Sequence, residues 1–199
     1  MITIVDYAIN NLHSVENAFH SLNIPVEVTD VPGRILAASK LVLPGVGAFA
    51  DAMDNLKTKD MIQCLSKKVS SGTPLLGVCL GLQLLFTESE EFGHHLGLNY
   101  IPGKVKRLPA GLRVPHIGWN QLHLREVDPL LNGIPEESFV YFVHSYFGDP
   151  VNSSDVLATT EYGIEFPAIV RRGSVWATQF HPEKSQDVGL RILRNFAEM

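Results

Sequence analysis

Cys79 lies in Gly77-Val-Cys-Leu-Gly81, where the apolar run Leu75 to Val78 gives way to Leu82-Gln-Leu-Leu-Phe86. Gly-x-Cys-x-Gly between a strand and a helix is the pattern of a nucleophile elbow, with sulfur where hydrolases more often carry a hydroxyl. The glycines matter because so tight a turn rejects β-carbons beside the nucleophile. A helix beginning just after the cysteine aims its free N–H groups and positive dipole end at the sulfur. That favours thiolate over thiol and leaves donors for an oxyanion. Alone, a cysteine in an apolar strand is most often a small buried hydrophobe; the two glycines at these offsets argue for chemistry.

A cysteine nucleophile needs a base, and the base needs a group that fixes its tautomer. Among eight histidines, His181 has suitable company, in Gln179-Phe-His-Pro-Glu-Lys-Ser185. It follows the apolar strand Val175 to Phe180, and strand ends are where sheet enzymes place functional groups. Pro182 pushes His181 toward extended backbone, where residues two apart project to the same side. Glu183 can then approach one ring nitrogen while the other faces the thiol. As a tripeptide, His-Pro-Glu could equally be a solvated turn; together with the elbow it completes a triad of Cys79, His181 and Glu183.

Oxyanion donors are expected from the Leu80 N–H and from Pro44-Gly-Val-Gly47, where Gly45 and Gly47 let the Val46 peptide swing its N–H toward a developing charge. Gln83, one helical turn after Cys79, shares its face. A buried amide needs a partner, which a bound substrate could supply; a surface glutamine is the alternative. His94-His95 has no carboxylate or cysteine at metal spacing and reads as a solvated pair. No phosphate-binding glycine loop occurs. His144-Ser-Tyr146 and Trp119 could be core, although aromatic residues also anchor interfaces.

These groups must be carried by an alternating framework. Ile2 to Val5, Val26 to Thr29, Leu41 to Leu43 and Leu75 to Val78 read as strands. Leu12, Val15, Ala18, Phe19 and Leu22 recur at helical spacing after Asn10-Asn11, as do Met61, Ile62, Leu65 and Val69 before the terminator Gly72. This rhythm predicts an α/β fold with a mainly parallel central sheet flanked by helices. After Gly93 the chain turns β-rich, at Tyr100-Ile101, Val105 to Leu108, Phe139 to Phe147, Val156 to Thr160, and Ala168 to Arg171 against Val175 to Phe180. These predict antiparallel strands added to the same sheet, with Val188, Ile192, Leu193 and Phe196 on a closing helix. No linker or repeat divides the chain, so residues 1–199 are expected to form one domain.

With 199 residues, 45% hydrophobic and 19% charged, the chain can bury a sizeable core. Its net charge of −5 and lack of basic clusters argue against nucleic acid as a partner. No apolar run has the ~18 residues of a membrane span. The start on Ile2-Thr-Ile-Val5 carries no leader pattern, and two cysteines give no disulfide framework. A cytoplasmic protein is expected.

Together, Gly77-Val-Cys-Leu-Gly-Leu-Gln83, Pro44-Gly-Val-Gly47 and His181-Pro-Glu183 resemble the class I (triad) glutamine amidotransferases. The similarity spans essentially the whole chain, including Asp6-Tyr7, Asn11-Leu12, Glu90-Glu-Phe-Gly93 and His144-Ser-Tyr146. Pro115-His-Ile-Gly-Trp-Asn120 and His181-Pro-Glu-Lys-Ser185 point to the branch whose glutaminase subunits serve a cyclase in histidine biosynthesis. The resemblance implies a flavodoxin-like fold, no cofactor and no metal. It implies that Cys79 attacks the glutamine carboxamide, His181 moves the proton, Glu183 orients His181, and Val46 and Leu80 hold the oxyanion. Gly45, Gly47, Gln83, Glu91, His144, Ser145 and Tyr146 would surround L-glutamine. Asn11, Trp119 and Asn120 would face a (β/α)8-barrel cyclase subunit in a heterodimer that channels ammonia. The chain departs from the family pattern at Ala8 and Asn10, which stand where glycines are usual, and at Asn99 before the Ile101 strand. Rival readings are a glutaminase subunit of pyridoxal phosphate synthase, a γ-glutamyl hydrolase needing no synthase, and a catalytically silent module that stabilises the cyclase.

Overall fold

The structure, a computed structural model, describes residues 1–8 and 11–199. In the first half, β1 (Ile2–Val5), α1 (Leu12–Ser21), β2 (Val26–Thr29), α2 (Pro32–Ala37) and β3 (Leu41–Leu43) are followed by α3 (Phe49–Thr58) and α4 (Met61–Ser70). Then come β4 (Leu75–Val78), α5 (Leu80–Leu84), β5 (Phe86–Ser89) and β6 (His95–Leu96). The second half contains β7 (Ile101–Arg107), β8 (His116–Gln121), β9 (His123–Leu124), β10 (Phe139–His144) and β11 (Tyr146–Pro150). It closes with β12 (Val156–Glu161), β13 (Glu165–Arg172), β14 (Val175–Thr178) and α6 (Gln186–Glu198).

Among the described residues, an eight-stranded sheet runs in the order β2-β1-β3-β4-β14-β13-β12-β9. Its first five strands are parallel and the rest antiparallel. Of the parallel strands, β1, β3, β4 and β14 are buried on both faces, as helices on either side require, whereas the edge strand β2 is half-buried. Ile2, Ile4, Val42, Leu76 and Val78 pack on the α1–α6 side, whereas Val5, Leu41, Leu43 and Leu75 face Phe49, Leu56 and Leu65 of α3 and α4. β4 lies between β3 and β14, with Leu75 opposite both Leu41 and Val175. Neighbouring strands sit about 4.8 Å apart, so the segments leaving the carboxyl ends of β3, β4 and β14 are brought together. This arrangement joins residues a hundred positions apart.

The mainly parallel sheet and its flanking helices agree with the sequence. Four local expectations are corrected. The added strands do not all join one sheet: β10 pairs with β8 alone, and β11-β7-β5-β6 form a separate four-stranded sheet. The apolar run Phe139 to Phe147 is two strands, broken at Ser145. The helix after the elbow has only five residues, and Phe86 begins a strand. Its dipole is correspondingly short. Helices α2 and α3 go beyond the sequence reading, although Phe49, Ala52 and Leu56 do form a buried stripe on α3.

Candidate active site

Cys79 takes φ 55°, ψ −107°, left-handed backbone that a side chain rarely adopts. Its N–H is fixed by the Thr178 carbonyl of β14 at 2.8 Å. The glycines beside it are needed for space. A β-carbon on Gly81 would strike the Leu43 carbonyl, and one on Gly77 would lie 2.8 Å from Leu85 Cδ1. The elbow therefore presses against the end of β3, and the cysteine itself bears the strained φ. The thiol is buried, 3.7 Å from the Val143 carbonyl of β10.

His181 follows β14 in extended backbone, φ −96° and ψ 97°. Its N–H donates to the Tyr141 carbonyl (2.9 Å), and its carbonyl accepts from Ser185 Oγ (2.6 Å). Ser185 Oγ also accepts the Tyr141 N–H at 3.0 Å, so one hydroxyl ties the histidine loop to β10. His181 Nδ1 donates to Glu183 Oε1 at 2.8 Å, both side chains being almost fully buried. Burial alone would lower the imidazole pKa; the neighbouring Cys79 and Glu183 outweigh it and raise it to about 10. These partners favour the imidazolium form of His181.

Asn11 completes this group. It precedes α1 at φ 75° without capping it; its Nδ2 instead donates to Glu183 Oε1 at 2.9 Å. Glu183 Oε2 is buried and accepts no hydrogen bond from any described residue. The sequence reading placed Asn11 at the entrance of α1 and at a partner surface, and Asn10 lies outside the described residues. The other departures have a backbone reason: Ala8 (φ 64°) and Asn99 (φ 55°) both adopt the left-handed conformation in which glycine is at ease.

A cavity of about 270 Å³ opens over the thiol, lined by Val46, Gly47, Cys79, Gln83, Glu91 and the His144–Tyr146 segment together with His181. It lies below the roughly 300–1,000 Å³ of drug-sized sites, which suits something as small as an amino acid. Gln83 Nε2 donates to the Tyr146 carbonyl at 2.9 Å and approaches Gln179 Oε1 at 3.4 Å, so the protein supplies its amide with partners. Glu91 Oε2 accepts the Phe49 N–H at 2.6 Å, placing a carboxylate at the start of α3. His144 Nδ1 donates to the Tyr146 carbonyl at 2.9 Å. Burial, reinforced by His116 and His181, lowers the His144 pKa to about 3 despite that bond.

The expected oxyanion donors are arranged differently from the sequence reading. The Leu80 N–H faces the Gly45 carbonyl at 3.3 Å, so one peptide, Gly45–Val46, turns its oxygen toward the donor. Tyr7, fully buried, holds the preceding turn by donating its hydroxyl to the Pro44 carbonyl at 2.7 Å. Burial first, and then Cys79, raise the Tyr7 pKa well above its ordinary value. In the sequence Tyr7 stands out only as part of Asp6-Tyr7; its position after a buried strand of the same sheet is the usable signal.

Trp119 and Asn120 diverge. Trp119 is 41% exposed and forms an apolar face with Ile117 and Phe139, its ring 5.7 Å from Tyr141. Asn120 points inward, its Oδ1 3.0 Å from His116 Nε2 and its Nδ2 2.5 Å from the Glu161 carbonyl. No cluster of three or more potential metal ligands occurs among the described residues. No helix among them is long and apolar enough to cross a membrane.

A cysteine on strained backbone, a paired imidazole and carboxylate, and an adjoining small cavity are the parts that a cysteine-nucleophile amide hydrolase requires. The chain matches the glutamine amidotransferase class-I family over residues 3–199 and belongs to that family. It is 53% identical over 206 residues to imidazole glycerol phosphate synthase subunit HisH of Syntrophotalea carbinolica, covering 100% of both chains. It is 52% identical to the subunit of that name from Moorella thermoacetica, covering 100% of this chain and 94% of the relative. A crystal structure of a glutamine amidotransferase superposes with a TM-score of 0.80 at 22% identity, covering 100% of this chain and 98% of the other. That likeness concerns the fold.

Proposed function

We propose that this chain, folded as one amidotransferase domain over residues 1–199, hydrolyses L-glutamine and passes the ammonia to a (β/α)8-barrel cyclase subunit in a cytoplasmic heterodimer. The cyclase would use the ammonia to make imidazole glycerol phosphate and an aminoimidazole carboxamide ribotide. The observation that carries the reading is that Cys79 and His181 line one small cavity, with His181 bonded to Glu183 behind it. The full-length likeness to the HisH subunits supports the choice of partner over the pyridoxal phosphate synthase alternative.

In the first half-reaction, Cys79 sulfur attacks the carboxamide carbon and the carbonyl oxygen gains the negative charge. As the C–N bond breaks, the imidazolium of His181 gives its proton to the departing nitrogen, releasing ammonia and a γ-glutamyl thioester. In the second, His181 takes a proton from water, hydroxide adds to the thioester, and glutamate leaves as the thiolate reforms. Glu183 keeps His181 oriented throughout, its own oxygen steadied by Asn11.

The Gly45–Val46 peptide would turn for the first step. Rotation removes the Gly45 carbonyl from the Leu80 N–H and presents the Val46 N–H in its place, supplying both donors in one movement. Gly47, at φ 113° with open space around it, and the long 3.3 Å contact favour such a turn. Partner docking would drive it, through the exposed Ile117-Trp119-Phe139 face whose strand β10 also carries the Val143 carbonyl against the thiol. Channelling suits the chemistry, because free ammonia at neutral pH is mostly unreactive ammonium.

The test mixes the purified chain with the cyclase and its nucleotide substrate and follows glutamate release and glutamine-dependent product. Strong stimulation by cyclase is expected; equal glutamate release with and without it would refute the switching peptide. Capture of Cys79 by a glutamine-like electrophile separates an enzyme from a silent stabilising module.

A further inference from the structure

Behind the cavity, two imidazoles meet. His116 Nδ1 lies 3.2 Å from His144 Nε2, while His144 Nδ1 lies 2.9 Å from the Tyr146 carbonyl. Both rings are buried, and His116 is stacked on Tyr162 at 3.9 Å and on Phe142 at 5.3 Å. The Tyr146 carbonyl that accepts from His144 also accepts from Gln83 Nε2, an amide lining the cavity.

The proton positions follow by elimination. A carbonyl only accepts, so His144 Nδ1 must carry hydrogen. A buried ring kept neutral, as His144 is, then has a bare Nε2. His116 Nδ1, facing that lone pair, must in turn be protonated. At the far side, His116 Nε2 meets the Asn120 amide at 3.0 Å. His116 either donates from both nitrogens as an imidazolium, against the burial that lowers its pKa, or stays neutral with the Asn120 amide reversed, which gives up the Asn120 bond to the Glu161 carbonyl. Each arrangement leaves the Nδ1–H on His144.

We propose that His116 is a positioning residue for glutamine hydrolysis: its Nδ1–H fixes the His144 tautomer, which holds the Tyr146 carbonyl and thereby the Gln83 amide at the substrate cavity. This relay begins at Asn120, beside the exposed Trp119, and ends at the cavity wall. It rests on the reading of that cavity as the glutamine site. Because His116 touches neither thiol nor substrate, its loss should affect glutamine affinity more than turnover.

The test uses the complete complex with its cyclase. His116→Phe keeps a stacking ring and removes the donor, whereas His116→Asn retains an N–H near the Nδ1 position and removes the stack. Loss of one buried neutral hydrogen bond corresponds to about 3- to 10-fold, so His116→Phe should raise KM for glutamine by that factor with kcat held within about twofold. His116→Asn should recover most of the loss. Nitrogen-15 spectra of the wild type should show neutral His144 protonated at Nδ1, the tautomer disfavoured in water. An unchanged KM in His116→Phe, a larger defect in His116→Asn than in His116→Phe, or a wild-type His144 protonated at Nε2 would each overturn the relay. If the wild type released no glutamate, the reading of the cavity would fail, while the nitrogen spectra would still decide the relay.

Discussion

Replacing Glu183 by glutamine isolates the charge of the carboxylate from its geometry. Glu183 Oε1 accepts from both His181 Nδ1 and Asn11 Nδ2, whereas Oε2 accepts from no described residue. In Glu183→Gln, the amide oxygen should remain at the position held by two donors, with the NH2 group where Oε2 stood. The His181 tautomer is then preserved and only the charge is lost. A charge-assisted hydrogen bond contributes about 1.5–3 kcal/mol and a neutral one about 1 kcal/mol. The difference of about 0.5–2 kcal/mol predicts a loss of roughly 2- to 30-fold in kcat/KM and a His181 pKa lower by about one unit. That pKa is raised from 6.5 to about 10 in the folded chain. The stability it contributes is therefore fully present below about pH 6.5 and fades as pH rises through about 10. In the variant the loss should still begin near pH 6.5 but be complete about one pH unit lower, so that less stability is forfeited in all. Steady-state glutaminase assays on the complex and urea titrations across that window measure both effects. Adding Asn11→Ala removes the second donor, frees the amide to reverse, and should deepen the rate loss beyond about 10³ by forfeiting the tautomer. A loss near 10⁴ in Glu183→Gln alone, or no loss at all, would refute this reasoning.

Other expected outcomes rest on separate features. Gly45→Ala would place a β-carbon 2.5 Å from the Tyr7 hydroxyl and 3.0 Å from Leu80 Cβ; it should destabilise by about 1–3 kcal/mol and sharply reduce cyclase-stimulated glutamate release. Tyr7→Phe strands the buried Pro44 carbonyl and should cost about 1–2 kcal/mol in urea unfolding. Ala8→Gly relieves a left-handed alanine and should raise stability by up to about 1 kcal/mol in the same assay. Asp128 accepts from Arg171, Trp176 and the Leu130 N–H while buried, so Asp128→Ala should lower stability by about 2–3 kcal/mol.

What the sequence made legible is what local pattern encodes. The parallel strands announced themselves as short apolar runs, and α1, α4 and α6 as stripes. Gly77 and Gly81 marked the elbow because backbone packing leaves them no β-carbon space, and Pro182 marked an extended histidine. Long-range geometry was not encoded in that way. Nothing in the apolar run Phe139 to Phe147 signals the break at Ser145, since alternation alone does not choose between sheets. Asn11 read as a helix entrance, but its amide is used 172 residues away on Glu183. The Leu80 N–H looked free by its place after the elbow, yet its partner comes from the end of another strand. Asn120 and Trp119 are adjacent in sequence and face opposite ways because β8 alternates, which separates a half-buried bonding group from an exposed aromatic one.

The most direct measurement compares wild type and Cys79→Ala in the assembled complex, with glutamine and with ammonium salts as alternative nitrogen sources. The account predicts that the variant releases no glutamate and makes no product from glutamine, while product formation from ammonium continues near the wild-type rate. Glutamate release surviving the loss of the sulfur would contradict the covalent mechanism at its first step.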